Sequence, residues 1–144
     1  MVSAPPRLSI LVPTRNRPEL IGPCVRAILD QRGAPPFELI VADQSDGTAT
    51  RDAALGAARG DARLRHLPVD GRGRSRALNA ALDVARGAWV VMTDDDCIPA
   101  ATWLADLDRA AAHAPARSIV VARVVAGPKA EGRGDPPAIL DLPA

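Results

Sequence analysis

Short apolar runs alternate along this chain with longer segments whose apolar residues recur at helical spacing. Residues 8–12 form a short, mainly apolar run stopped by Pro13, after which Thr14-Arg15-Asn16-Arg17 forms a polar loop. Pro18 or Pro23 can open the helix that follows, since proline costs little in a first turn. That helix runs to about Gln31, with Ile21, Val25, Ile28 and Leu29 on one face and Gly33 just past its end. A second apolar run, 37–42, ends in the turn-rich Asp43-Gln44-Ser45-Asp46-Gly47 and leads to an alanine-rich helix over 48–59. Residues 64–67 predict a short third strand, and the loop 71–75 leads into a helix over 75–86. On that helix Ala77, Leu78, Ala81, Leu82 and Ala85 share one face, while Arg76, Asn79, Asp83 and Arg86 share the other. A fourth strand is expected over 88–93, a helix over 100–112 and a fifth strand over 118–125. Such alternation predicts an α/β fold: a mostly parallel sheet with right-handed crossovers.

Length sets the scale of this fold. A chain of 144 residues suits one domain with a real core. The composition shifts near its end, so we expect a domain over 1–126 and an irregular glycine- and proline-rich segment over 127–144. With 47% hydrophobic and 24% charged residues the chain is of globular type. The net charge of +1 speaks against a dedicated nucleic-acid binder, although nearly all the basic residues are arginines, which suit phosphate oxygens. Cys24 and Cys97 show neither metal-site nor disulfide spacing, so a reducing cytoplasm is the expected compartment. No apolar run approaches the roughly 18 residues of a membrane span, and neither export nor a span is expected.

The chemistry concentrates after the fourth strand, where Val90-Val91-Met92-Thr93 runs into Asp94-Asp95-Asp96. Adjacent carboxylates about 4 Å apart repel by roughly 1 kcal/mol in water and several-fold more near a protein surface, so the cluster calls for a cation. Oxygen-only donors suit Mg²⁺ or Mn²⁺, an ion that binds one or two carboxylates together with substrate phosphates. Helix capping would explain one of these aspartates, or two. Three in a row at a strand's C-terminal end favour a metal-phosphate site, because open α/β sheets bind ligands at that edge.

Parallel pairing would bring residues 13–17, 43–46 and 94–96 to one edge, where a nucleotide can lie across them. Asp43 can accept hydrogen bonds from a base or ribose, or it can serve only as a turn aspartate bonding its own backbone. Arg74 and Arg76 can approach phosphates or form a solvated face. His66 and His113 read as surface histidines. A dinucleotide-binding G-x-G-x-x-G is excluded, since the first strand-to-helix turn reads Pro13-Thr14-Arg15-Asn16-Arg17-Pro18. A phosphate-binding Walker A loop is likewise missing.

Four segments taken in order, 8–18, 38–47, 75–82 and 87–99, resemble family 2 glycosyltransferases of the GT-A fold. The resemblance covers roughly residues 7–107. It implies a GT-A-type, Rossmann-like sheet with helices on both faces, lacking much of the acceptor-binding half. It also implies a UDP-, GDP- or TDP-sugar donor and an inverting, Mn²⁺- or Mg²⁺-assisted transfer to a glycan, lipid-linked or small-molecule acceptor. Asp94-Asp95-Asp96 occupies the family's D-x-D motif. Asp96 is the expected metal ligand, with Asp94 as second ligand, and Asp94 or Asp95 faces the ribose or a metal-bound water. Asp43 matches the base-contacting acid, and Pro13, Thr14 and Arg15 match the loop lining the base pocket.

Glu131, Asp135 and Asp141 fall in the tail and match no catalytic base of the family. A homo-oligomer and a peripheral position at the inner face of the membrane are compatible with this reading. Competing readings are a nucleotidyltransferase or receiver-like module that uses the acidic cluster for Mg²⁺, and a non-catalytic interaction domain that retains the fold. Lys129, the one lysine, sits in the wrong kind of segment for a receiver.

Overall fold

A computed structural model describes residues 4–120. Four strands, β1 (Leu8–Thr14), β2 (Phe37–Asp43), β3 (Leu64–Pro68) and β4 (Trp89–Met92), form one parallel sheet in the order β3-β2-β1-β4. Between and after them run α1 (Pro18–Leu29), α2 (Ala49–Ala58), α3 (Arg74–Val84) and α4 (Trp103–His113). β1 and β2 are buried at every position, as central strands covered on both faces must be. Leu8, Ile10, Val12, Leu39 and Val41 pack against α1, α2 and α4, while Leu11, Ile40 and Ala42 pack against α3. Helices therefore cover both faces of the sheet, as the sequence predicts.

α1 begins at Pro18, so Pro23 lies inside it and leaves the Glu19 carbonyl without its usual partner. The buried stripe Ile21, Cys24, Val25, Ile28 and Leu29 holds the helix nonetheless. Gln31, just past its end, accepts from the Leu104 backbone N–H at 2.9 Å and donates to the Ala100 carbonyl at 2.7 Å. The side chain thereby satisfies an orphan donor at the start of α4.

Two expectations need correcting. Leu82 does not share the buried face of α3; it is exposed, and the helix packs through Ala77, Leu78 and Ala81. Leu82 lies about 100° around the helix from Ala81, at the rim of the stripe. Of the fifth strand expected over 118–125, residues 118–120 carry no strand and the rest lie outside the described residues, as does the segment 127–144.

The ladder explains how the functional edge opens. The Arg7 and Leu11 carbonyls accept from the Trp89 and Thr93 backbone N–H groups, so odd-numbered positions of β1 face β4. Pro13 faces the same way, beyond Met92, where pairing between these strands has ended. Its missing N–H therefore leaves no ladder bond unmade, and β1 and β4 part at this point.

At the opposite edge a buried carboxylate ties the sheet together. Glu38 of β2 accepts from Ser9 Oγ at 2.7 Å, Arg65 Nη1 at 2.7 Å, and Arg86 through its backbone N at 2.7 Å and Nη2 at 2.8 Å. Ser9 Oγ in turn accepts from Gly87 N at 2.8 Å. Gly87 crosses so close to β1 that a Cβ there would meet Ser9 N at 2.5 Å and the Leu8 carbonyl carbon at 2.7 Å. This latch joins β1, β2 and β3 to the segment that starts β4.

Candidate nucleotide-binding edge

Parallel pairing with Thr14 opposite Asp43 brings the ends of β1 and β2 level, and Thr93, hydrogen-bonded to Leu11, carries the acidic triplet to the same edge. The triplet opens no helix. The Cys97 N–H closes a turn onto the Asp94 carbonyl at 3.2 Å, and α4 starts only at Trp103. Capping therefore does not account for the three aspartates.

Their side chains divide by environment. Asp95 is buried; Oδ2 accepts from Thr14 Oγ1 at 2.7 Å and Oδ1 from Arg17 Nη1 at 3.0 Å. Asp94 and Asp96 are half exposed, at 50% and 56% of their side-chain surface. Arg74 Nε donates to Asp94 Oδ1 at 2.8 Å, and Arg17 Nη1 lies 4.0 Å from Asp96 Oδ2. Two guanidinium groups thus offset the local charge, and two carboxylates are left facing water.

Asp43 is also buried. Its Oδ1 accepts from the Ser45 backbone N–H at 2.9 Å, the Asx-type turn weighed from the sequence, and its Oδ2 lies 2.9 Å from His66 Nε2. Its carbonyl accepts from Val69 N at 2.9 Å, which fixes the chain leaving β3. His66 is thus no free surface histidine but the side-chain partner of Asp43. Its visible signal was its place in the β3 alternation, Leu64 and His66 on one face and Arg65 on the other.

The other expected residues sit around this centre. Pro13 and Thr14 are buried at the end of β1. Arg15 donates to Asp46 at 2.9 Å, and Asn16 exchanges two bonds with Asp46, so the β1–α1 and β2–α2 loops are clasped together. An open cleft of about 390 Å³ lies beside that clasp, lined by Asn16, Pro18, Ser45 and Thr50 among others. Arg76 is exposed, and its side chain lies beside Gly71. His113, expected at the surface, is exposed and bonds the Arg109 carbonyl.

Among the described residues, no group of three or more His, Cys, Asp or Glu side chains is arranged as a metal cage. The donor set instead offers two hard carboxylates, Asp94 and Asp96. That number suits a cation completing its shell with phosphate oxygens. Cys24 sits beneath the triplet with Sγ 3.6 Å from the Asp94 carbonyl. Burial, reinforced by Cys97 and the three aspartates, pushes its thiol up to about 12. Among the described residues, no helix is long and apolar enough to cross a membrane.

Comparison with known proteins places this architecture. The chain is 32% identical to a mannosyltransferase from Pyrobaculum calidifontis, solved in complex with GDP-Man and Mn²⁺; the match has a TM-score of 0.59 and covers 69% of this chain and 30% of that one. TarS of S. aureus shares the fold, with a TM-score of 0.63 at 24% identity over 72% of this chain and 19% of that one. A GalNAc(5)-diNAcBac-PP-undecaprenol beta-1,3-glucosyltransferase of Campylobacter jejuni is 30% identical over 93 residues, 63% of this chain and 30% of that protein. A Mycobacterium tuberculosis protein is 37% identical over 103 residues, 68% of this chain and 31% of that one. The chain thus spans about a third of the length of these curated relatives. The model of glycosyl transferase family 2 matches residues 9–137, and with the parallel sheet and its acidic edge in place, this chain belongs to that family.

Proposed function

We propose that this chain is the donor-binding part of a glycosyltransferase that uses a nucleoside-diphospho-sugar. The observation that carries the reading is the division of labour within the triplet. Asp95 is buried and spent on Thr14 and Arg17, which leaves Asp94 and Asp96 facing outward at the C-terminal edge of the sheet. In this reading Asp96 and Asp94 hold Mn²⁺ or Mg²⁺, and Asp95 sets the loop that presents them. A divalent cation bound there supplies charge neutralisation for the departing nucleoside diphosphate.

The chain's own residues do the rest of the binding. Asp43 accepts from a nucleobase N–H, while Pro13, Thr14 and Arg15 shape the base pocket. Arg74, already at the rim, turns from Asp94 toward phosphate oxygens, for which its planar fork is suited. Arg76, two residues on and on a different face of α3, serves as a second phosphate contact once its side chain leaves Gly71. Transfer proceeds by attack of an acceptor hydroxyl on the face of the anomeric carbon opposite the leaving group, so the product is inverted. The acceptor classes compatible with this family reading are a glycan, a lipid-linked saccharide or a small molecule. The GDP-Man and Mn²⁺ of the Pyrobaculum complex and the undecaprenol-linked saccharide in the Campylobacter enzyme's name support the donor and acceptor classes respectively.

A thermal-shift panel of UDP, GDP, TDP and CDP, each with and without Mn²⁺, tests the donor site. A ligand at a hundredfold excess over its Kd stabilises by about 2.7 kcal/mol, which in a domain of this size raises Tm by about 10 °C. We expect a rise that needs both nucleotide and metal and that Asp96→Asn abolishes. No rise with any pair, or an equal rise in the variant, contradicts the assignment.

A further inference from the structure

His66 belongs to no part of the donor machinery described above, yet it makes a side-chain contact to the residue assigned to the base. β3 pairs with β2 so that His66 stands opposite Val41, two residues before Asp43 on the same face of the sheet. From there Nε2 reaches Asp43 Oδ2 at 2.9 Å. Both side chains are sheltered, at 15% exposure for His66 and 5% for Asp43. A carboxylate oxygen only accepts, so Nε2 is the protonated nitrogen of the imidazole.

The consequence lies in orientation. The Ser45 N–H anchors one oxygen of Asp43. One anchor leaves the carboxylate free to turn about its last torsion, which is broad and soft. A second donor on the other oxygen removes that freedom. Two ionised oxygens offer about four lone-pair sites, so these two bonds leave acceptor capacity for a ligand in a fixed plane.

We propose that His66 is a positioning residue for base selection: it holds the Asp43 carboxylate in the plane from which it accepts a ring N–H of the nucleobase. Uracil, thymine and guanine present such an N–H on their pairing edge. Cytosine presents a lone pair at the equivalent ring nitrogen and is disfavoured by an acceptor held in place. This inference rests on the donor-site reading above and adds to it a second residue behind the choice of base.

The test is calorimetric titration of the 144-residue chain with UDP, GDP and CDP in Mn²⁺, for the parent, His66→Phe, His66→Gln and the double variant His66→Phe/Asp43→Asn. A hydrogen bond to a charged group contributes roughly 1.5 kcal/mol or more, equivalent to about tenfold in Kd. We expect His66→Phe to weaken the best-bound nucleotide about tenfold while leaving CDP nearly unchanged, so that discrimination between bases falls by the same factor. His66→Gln, which keeps an N–H donor at similar reach, should stay within about threefold of the parent. Measured beside Asp43→Asn alone, the double variant should weaken binding by less than the two single losses combined. A parent-like preference in His66→Phe, or equal weakening for all three nucleotides in both His66 single variants, overturns the role of His66 alone. A parent that binds none of the three overturns the donor-site reading and this role with it.

Discussion

Replacing Glu38 by glutamine probes the latch that sets the start of β4, and its cost can be worked from the contacts. The carboxylate is 3% exposed. Burial by itself would raise its pKa, but hydrogen bonds from Ser9, Arg65 and Arg86 outweigh that penalty and hold it at about 2, against an ordinary 4.5. Each unit corresponds to 1.36 kcal/mol, so the ionised form gains about 3 kcal/mol on folding. Arg65 and Arg86 keep 36% and 62% of their side-chain surface in water, and screening there trims the figure to about 2 kcal/mol. Because the folded pKa is the lower one, this stabilisation is complete above the unfolded value and is lost as pH falls from about 5 toward 2. Urea unfolding of the parent and Glu38→Gln at pH 7 should differ by about 2 kcal/mol, or about 1 M in midpoint for a typical slope. The difference should shrink steadily when the pair is compared at pH 5, 4 and 3. Equal midpoints at pH 7, or a gap that does not change with pH, would show that these bonds do not hold Glu38 ionised at a gain to the fold.

Three further outcomes follow from single contacts. Thr14→Val removes the hydroxyl donor to Asp95 and leaves a buried carboxylate oxygen without a partner; denaturant unfolding should show a loss of about 1–3 kcal/mol. Gly87→Ala places a methyl group within 3 Å of the β1 backbone, so the crossing must shift, and calorimetry should show about 1–3 kcal/mol of destabilisation. Cys24, buried and with its thiol pushed up to about 12, should resist iodoacetamide at pH 8 in the folded chain. Mass spectrometry should find it alkylated only after unfolding.

Much of this architecture is legible in local pattern. Two central strands announce themselves as apolar runs, each broken by one polar residue near its start, and the loops that end them carry the polar residues that meet at the edge. What pattern does not show is pairing between distant segments. Glu38 reads as one acid at the start of an apolar run, and its burial is intelligible only once Ser9, Arg65 and Arg86 arrive from three other places. The same holds for His66, whose neighbour across the sheet is fixed by register rather than by sequence distance. Within the triplet, sequence cannot say which aspartate turns inward; that follows from the tight turn after β4 and from Thr14 waiting beneath it. Leu82 shows the limit of helical spacing itself, since a wide apolar stripe contains rim positions that the sheet does not reach.

What the two outward aspartates hold decides whether this edge is a donor site. Crystals of the chain grown with a nucleoside diphosphate and Mn²⁺, measured at the manganese absorption edge, give the most direct answer. A donor site of this kind would give an anomalous peak within about 2.2 Å of an Asp96 carboxylate oxygen and close to Asp94, near the 2.0–2.1 Å expected of a small hard dication. It also requires the base to lie against Asp43. A nucleotide bound with no metal at Asp94 and Asp96, or a metal seated at any other edge of the sheet, would contradict it.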